Sequence, residues 1–285
     1  MITEYKNGIW AEKIISLQKM DGSWGCFHTL SRPTREQPIT TEQALRRLKI
    51  LGFTKEDESI ARAIQYMESC IKNPEPIVFI EKKHDSKIYG DLMLATWLRT
   101  FDKDNEAAID VTKKWTKIVS CAFKNGKYEY ENYVAAYESI FAKKLNPKAG
   151  CLTNFVVFYQ VSLLNDCFDE KIETAVFEYI MNYPKGISYI YNEPLFKLPE
   201  IFASKQTGRY LSAIELLARY RKNRSKLQFV VDWLNENKDK NGQWDLGKSA
   251  KDNIYFPLSN SWRKDEYRKA DCTERINSLI KSILL

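Results

Sequence analysis

The chain has 285 residues, 44% apolar and 28% charged, which excludes disordered and collagen-like sequences and leaves enough apolar material for a sizeable core. The net charge is +7, from 44 basic and 37 acidic residues, but the two signs are interspersed, which argues against a nucleic-acid-binding face. No stretch approaches the uncharged apolar length that crosses a bilayer, and the segment from Met1 to Lys6 lacks the basic-then-apolar pattern of a leader, so no membrane span and a cytoplasmic location are expected.

Helical periodicity governs the chain, with about eleven or twelve segments in two kinds. Residues 4–20 are loosely amphipathic, and Thr40-Thr41-Glu42-Gln43 forms a capping box that opens a helix. Residues 56–71 carry one apolar face (Ile60, Ala63, Ile64, Met67, Ile71), whereas 87–101 is apolar nearly all round, from Leu92 to Leu98. The one-faced pattern returns at 105–121 (Ala108, Val111, Trp115, Ile118, Val119) and at 170–182 (Ile172, Ala175, Val176, Tyr179, Ile180). The all-round pattern returns at 151–164 and at 209–220, and the alternation is hardest to follow over 125–150. The basic group Arg219, Arg221, Lys222, Arg224 and Lys226 reads as a turn between helices. Alternation of one-faced and all-round helices predicts an all-α fold of two concentric layers, with 87–101, 151–164 and 209–220 inside and 56–71, 105–121 and 170–182 outside. No linker divides the chain, so 1–285 is expected to be a single domain.

Six cysteines (Cys26, Cys70, Cys121, Cys151, Cys167, Cys272) are scattered with no pair at CxxC spacing and read as reduced thiols. His28 and His84 stand apart from any cysteine or carboxylate cluster at ligand spacing, so no zinc, other metal or cofactor is expected.

A recurring element lies near both ends: Gln18-Lys19-Met20-Asp21-Gly22-Ser23-Trp24, and Asn237-Lys238-Asp239-Lys240-Asn241-Gly242-Gln243-Trp244. In each, an amphipathic helix bearing a tryptophan (Trp10, Trp233) runs into the motif, a glycine permits a left-handed turn, and an aromatic ring follows two residues later. Asn125-Gly126-Lys127-Tyr128 is a weaker third copy, and Gly186-Ile187-Ser188-Tyr189 a candidate fourth.

On these motifs the sequence resembles the squalene-cyclase and protein-prenyltransferase repeat family. The resemblance implies an α/α toroid of about six helical hairpins, with Gln18, Gly22, Trp24, Gly242 and Trp244 as structural staples. Asn237 stands where the family has glutamine, in a copy one residue longer, so its tie is expected to be replaced or lost.

Asp271-Cys272-Thr273 matches the family's catalytic-acid motif in residue type and at the apparent start of a helix, which makes Asp271 and Cys272 candidate catalytic residues. The same residues with Glu274 also fit a plain helix cap. Protein prenyltransferases hold zinc through an aspartate, a cysteine and a histidine, a set the sequence lacks. Aromatic rings on the expected inner helices, Trp97, Tyr133, Tyr137, Phe158 and Tyr210, are candidates to line a cavity for an apolar, isoprenoid-like ligand. The rival expectation is a non-catalytic helical repeat that holds a peptide or protein.

Overall fold

The computed structural model describes residues 5–29, 31, 35–73, 86–252 and 254–285; His84, Pro74 and Pro76 lie outside the described residues, as does the side chain of Cys151. Among the described residues the fold is all-α, with eleven α-helices and no strand. They are α1 (Ile9–Ile15), α2 (Thr41–Ile50), α3 (Glu58–Lys72), α4 (Ser86–Phe101), α5 (Glu106–Ala122), α6 (Tyr130–Phe141), α7 (Phe158–Leu163), α8 (Glu170–Asn182), α9 (Lys205–Leu217), α10 (Gln228–Glu236) and α11 (Asp265–Leu284).

The chain divides into two compact units. The first comprises Met1–Val111 with Asp252–Asn260, and the second Thr112–Lys251 with Ser261–Leu285.

In the first unit, α2 opens on the capping box. Thr40 Oγ1 accepts from the Gln43 amide at 3.3 Å while Gln43 Oε1 accepts from the Thr40 amide at 3.1 Å, so two otherwise orphan donors are satisfied. The helix α3 buries Ser59, Ile60, Ala63, Tyr66, Met67 and Cys70, one stripe at helical spacing, and packs against α4. Helix α4 is buried without a break from Leu92 to Leu98. Residues 252–260 return to the N-terminal helices: the Trp10 indole donates to the Ser259 carbonyl at 3.0 Å, and the Arg47 guanidinium reaches the Pro257 carbonyl.

In the second unit, α5 turns Trp115, Ile118, Val119 and Ala122 inward. Helix α8 buries Glu173, Val176, Phe177, Ile180 and Met181, a face one residue on from the one the sequence predicts. The shift is explained by Glu173, whose carboxylate accepts the Lys222 amide at 3.0 Å and the Asn223 side chain at 3.4 Å, so a charged side chain belongs to the buried face. All of α7 is buried, as is α9 from Tyr210 onward except Glu215, while Lys205, Gln206 and Arg209 in its first turns are exposed.

Two expectations are corrected. Residues 151–164 are not one helix. A short 3-10 turn, Gly150–Leu152, is followed by an extended stretch before α7 begins at Phe158. There the Asn154 side chain accepts the Val156 amide at 2.8 Å, and the backbone then bonds Ser188: Ser188 N–H to the Val156 carbonyl at 3.2 Å, Phe158 N–H to the Ser188 carbonyl at 3.1 Å. Local side-chain capture and a distant partner thus take the groups a helix would have used. Second, Asp271 does not open its helix, because α11 starts at Asp265, nearly two turns earlier. Asp265 and Glu266 supply the negative charge that favours a helix N-terminus, and Arg268 pairs back to Asp265 at 2.9 Å.

Candidate functional site

The two strong motifs are built alike. Trp24 is fully buried; its indole N–H donates to the Ile14 carbonyl at 2.7 Å and its amide to Thr41 Oγ1 at 2.9 Å. Trp244 repeats both bonds, to the Leu234 carbonyl at 2.6 Å and to Thr273 Oγ1 at 3.1 Å. The turns match as well: Gly22 N–H reaches the Lys19 carbonyl at 3.0 Å, and Gly242 N–H the Asp239 carbonyl at 2.9 Å. Each tryptophan is thereby fixed by its ring to the helix before the turn and by its backbone amide to the helix after it.

Gln18 donates to the carbonyls of Gly22 at 2.9 Å and Ser59 at 2.8 Å, tying the motif to the start of α3. The C-terminal copy has lost this tie. Asn237 donates back into its own helix at the Trp233 carbonyl, and the Lys238 ammonium lies 4.6 Å from the centre of the Trp244 ring. An ionic clamp stands in for it: Arg268 grips Asp245 at 2.6 and 2.7 Å, and Lys269 holds Asp239 at 2.8 Å. In the third copy, Tyr128 stacks on Tyr179 at 4.6 Å and meets Phe123, Tyr133 and Phe155. The candidate fourth copy places no ring inward, since Tyr189 is exposed.

The first unit holds a buried polar constellation around Glu42. Both carboxylate oxygens are engaged: Oε2 accepts the Thr29 amide at 2.9 Å and its hydroxyl at 2.5 Å, while Oε1 accepts the Trp97 indole N–H at 3.2 Å and lies 3.5 Å from Arg46. Burial pushes this carboxyl up, but Arg46, the Thr29 hydrogen bonds and nearby His28 outweigh it, and its pKa lies below the ordinary value. Arg46 also reaches the Tyr255 hydroxyl at 3.4 Å and lies 5.5 Å from the centre of the Trp97 ring. His28 Nε2 and the Tyr89 hydroxyl are 2.9 Å apart, both buried. An ionised Glu42 is an electrostatic anchor rather than a proton donor. The sequence marks this residue only as part of a capping box, because its donors come from loops and helices up to 55 residues away.

The predicted site residues are divided between the two units. Trp97 belongs to the Glu42 constellation. In the second unit, Tyr133 gives its hydroxyl to the Leu152 carbonyl at 2.8 Å and Tyr210 to the Leu195 carbonyl at 3.0 Å. Tyr137 lies against Trp115 and Phe141, and Phe158 against Tyr159. Burial pushes the Tyr210 phenol well above its ordinary range. Asp271 is buried in the second turn of α11, where Oδ2 accepts the Trp262 indole N–H at 2.7 Å. Burial pushes the neighbouring Cys272 thiol up to about 12, despite a backbone hydrogen bond from Leu246, so it is protonated at neutral pH and a poor nucleophile. Among the described residues no group of three or more histidines, cysteines or carboxylates is arranged to hold a metal ion, and no helix is long and apolar enough to cross a membrane. No protein-family model, curated protein or solved structure matches the chain.

Proposed function

We propose that this chain is a squalene-cyclase-type repeat protein whose hairpins close into an α/α toroid, and that its interior binds an apolar, isoprenoid-like ligand. The observation that carries this reading is the alternation of one-faced helices, α3, α5 and α8, with α4 and α7, buried on nearly every side, and α9, buried from Tyr210 onward except Glu215. A helix with no polar face needs apolar neighbours on two sides. An outer layer supplies one side, and a ligand-filled centre the other. The duplicated tryptophan staples support the repeat assignment, and the return of residues 252–260 to α1 and α2 supports closure of a ring.

Binding, rather than acid catalysis, is what the side chains support. Glu42 is held ionised, Asp271 serves as an acceptor for an indole, and Cys272 is a protonated thiol. Trp97 reports on the proposed interior. Titration with farnesol should quench tryptophan fluorescence saturably, and Trp97→Phe should remove most of that change. A chain that stays folded by circular dichroism yet shows no saturable response to farnesol would rule the reading out.

A further inference from the structure

The basic group at residues 219–226 is not a uniform patch. Arg221 pairs with Asp166 at 3.4 Å, Lys222 with Glu173 at 3.8 Å and Lys226 with Glu178 at 2.5 Å. Arg224 donates to the Ser282 carbonyl at 3.4 Å. Arg219 differs from all of these. It leaves the end of α9 half-buried, and its side chain makes a single hydrogen bond, a long one, from Nη1 to Ser162 Oγ at 3.4 Å.

Arg219 lies two residues past the end of α9, and the Glu215 carboxylate on that helix acts on its charge. Glu215 is already committed: Oε1 accepts Arg275 Nε at 2.7 Å and Oε2 accepts Arg275 Nη2 at 3.0 Å. Ser212 Oγ accepts a further bond from Arg275 Nη2 at 2.7 Å. The cluster thus holds two guanidinium groups against one carboxylate, a net charge of +1. Burial depresses the Arg219 pKa, and Glu215 acts on it only through space. A guanidinium has five N–H donors in a planar fork, and partial burial of that charge is costly until an anion meets it.

We propose that Arg219, flanked by Ser162, Ser212 and the Glu215–Arg275 pair, is a binding site for the carboxylate of a small organic acid. Charge selects a monoanion, since one carboxylate brings the cluster to neutrality and a phosphate dianion overshoots it. Shape selects the same group, because a planar carboxylate meets the fork in two parallel bonds, as Glu215 meets Arg275. Glu215 is 29% exposed and Arg219 is half-buried, so the cluster lies at the edge of the core rather than in its middle. The site is independent of the apolar ligand proposed above.

The test is thermal unfolding of the full chain titrated with acetate, hexanoate, N-acetylleucine and inorganic phosphate at constant ionic strength. Saturable stabilisation by the carboxylates is expected, exceeding that by phosphate. N-acetylleucine against hexanoate distinguishes a peptide-like source of the carboxylate from a simple acid. Arg219→Gln should abolish the shift and Arg219→Lys should weaken it, while Arg221→Gln should leave it intact. No saturable shift, a larger shift with phosphate, or an unchanged shift in a folded Arg219→Gln chain would overturn the proposal.

Discussion

Trp262 gives its indole N–H to Asp271 Oδ2 at 2.7 Å, inside the second turn of α11 and away from any helix end. The bond makes a simple prediction about two substitutions. Asp271→Asn keeps an amide oxygen for the indole and should cost less than about 1 kcal/mol. Asp271→Ala leaves a buried N–H unpaired and should cost about 1–3 kcal/mol. Chemical denaturation of the two variants decides it, and equal losses would show that the indole bond contributes nothing.

Gly22 and Gly242 occupy matching turns at φ +89° and +73°, but their surroundings differ. A Cβ at Gly22 would lie 2.3 Å from the Arg62 carbonyl oxygen, whereas none of the structure stands within 4 Å of one at Gly242. Gly242→Ala should therefore cost only the left-handed backbone penalty, about 1–2 kcal/mol. Gly22→Ala adds a clash with the backbone of α3 and should cost clearly more. Comparable melting temperatures for the two variants would contradict the close approach of the first motif to α3.

Trp24→Ala should destabilise the chain by about 3–5 kcal/mol, the usual cost of emptying a large buried ring. Trp24→Phe keeps most of the apolar volume and loses the bond to the Ile14 carbonyl, so a smaller loss of about 1 kcal/mol beyond the volume change is expected. Gln18→Ala breaks two ties and should be worse than Asn237→Ala, which breaks one bond within a single helix. Urea unfolding midpoints rank the four.

Glu42 makes the chain acid-sensitive in a defined direction. Its folded pKa lies below the ordinary carboxylate value, so its contribution is complete above the unfolded-state pKa and is lost as pH falls through the folded value. Asp239, held down to about 2 by Lys269 and by two backbone amides, acts with the same sign at lower pH. Melting temperature should fall steeply below about pH 4.5, where ordinary carboxylates protonate. Glu42→Gln should be less stable at neutral pH, by about 3 kcal/mol for a buried charge pair that loses one partner, and should flatten the upper part of that acid limb. An unchanged pH profile would show that Glu42 is not ionised in the fold.

Much of the helical plan was legible because it is local. The 3.6-residue spacing of Ala108, Val111, Trp115 and Ile118 locates α5, and the unbroken apolar run from Leu92 to Leu98 marks α4 as buried all round. What was not legible depends on distant partners. Nothing near Val156 announces that its carbonyl is claimed by Ser188, so the break before α7 is invisible in the pattern. Asp271-Cys272-Thr273-Glu274 resembles a cap because the residues suit one, yet the helix-compatible run from Asp265 to Ala270 precedes it and α11 starts there. Thr273 nevertheless does for Trp244 what Thr41 does for Trp24, and the equivalence is clear only once both hydrogen bonds are seen. The Glu42 constellation escaped for the same reason: Thr29 and Trp97, which hold its two oxygens, lie 13 and 55 residues away.

Amide hydrogen exchange, with and without farnesol, tests the proposed apolar interior most directly. The expected result is slower exchange concentrated in α4, α7 and the part of α9 from Tyr210 onward, with α3, α5 and α8 little changed. Protection confined to α3, α5 and α8, or no protection at a farnesol concentration that saturates any fluorescence change, would contradict a ligand held at the centre of the fold.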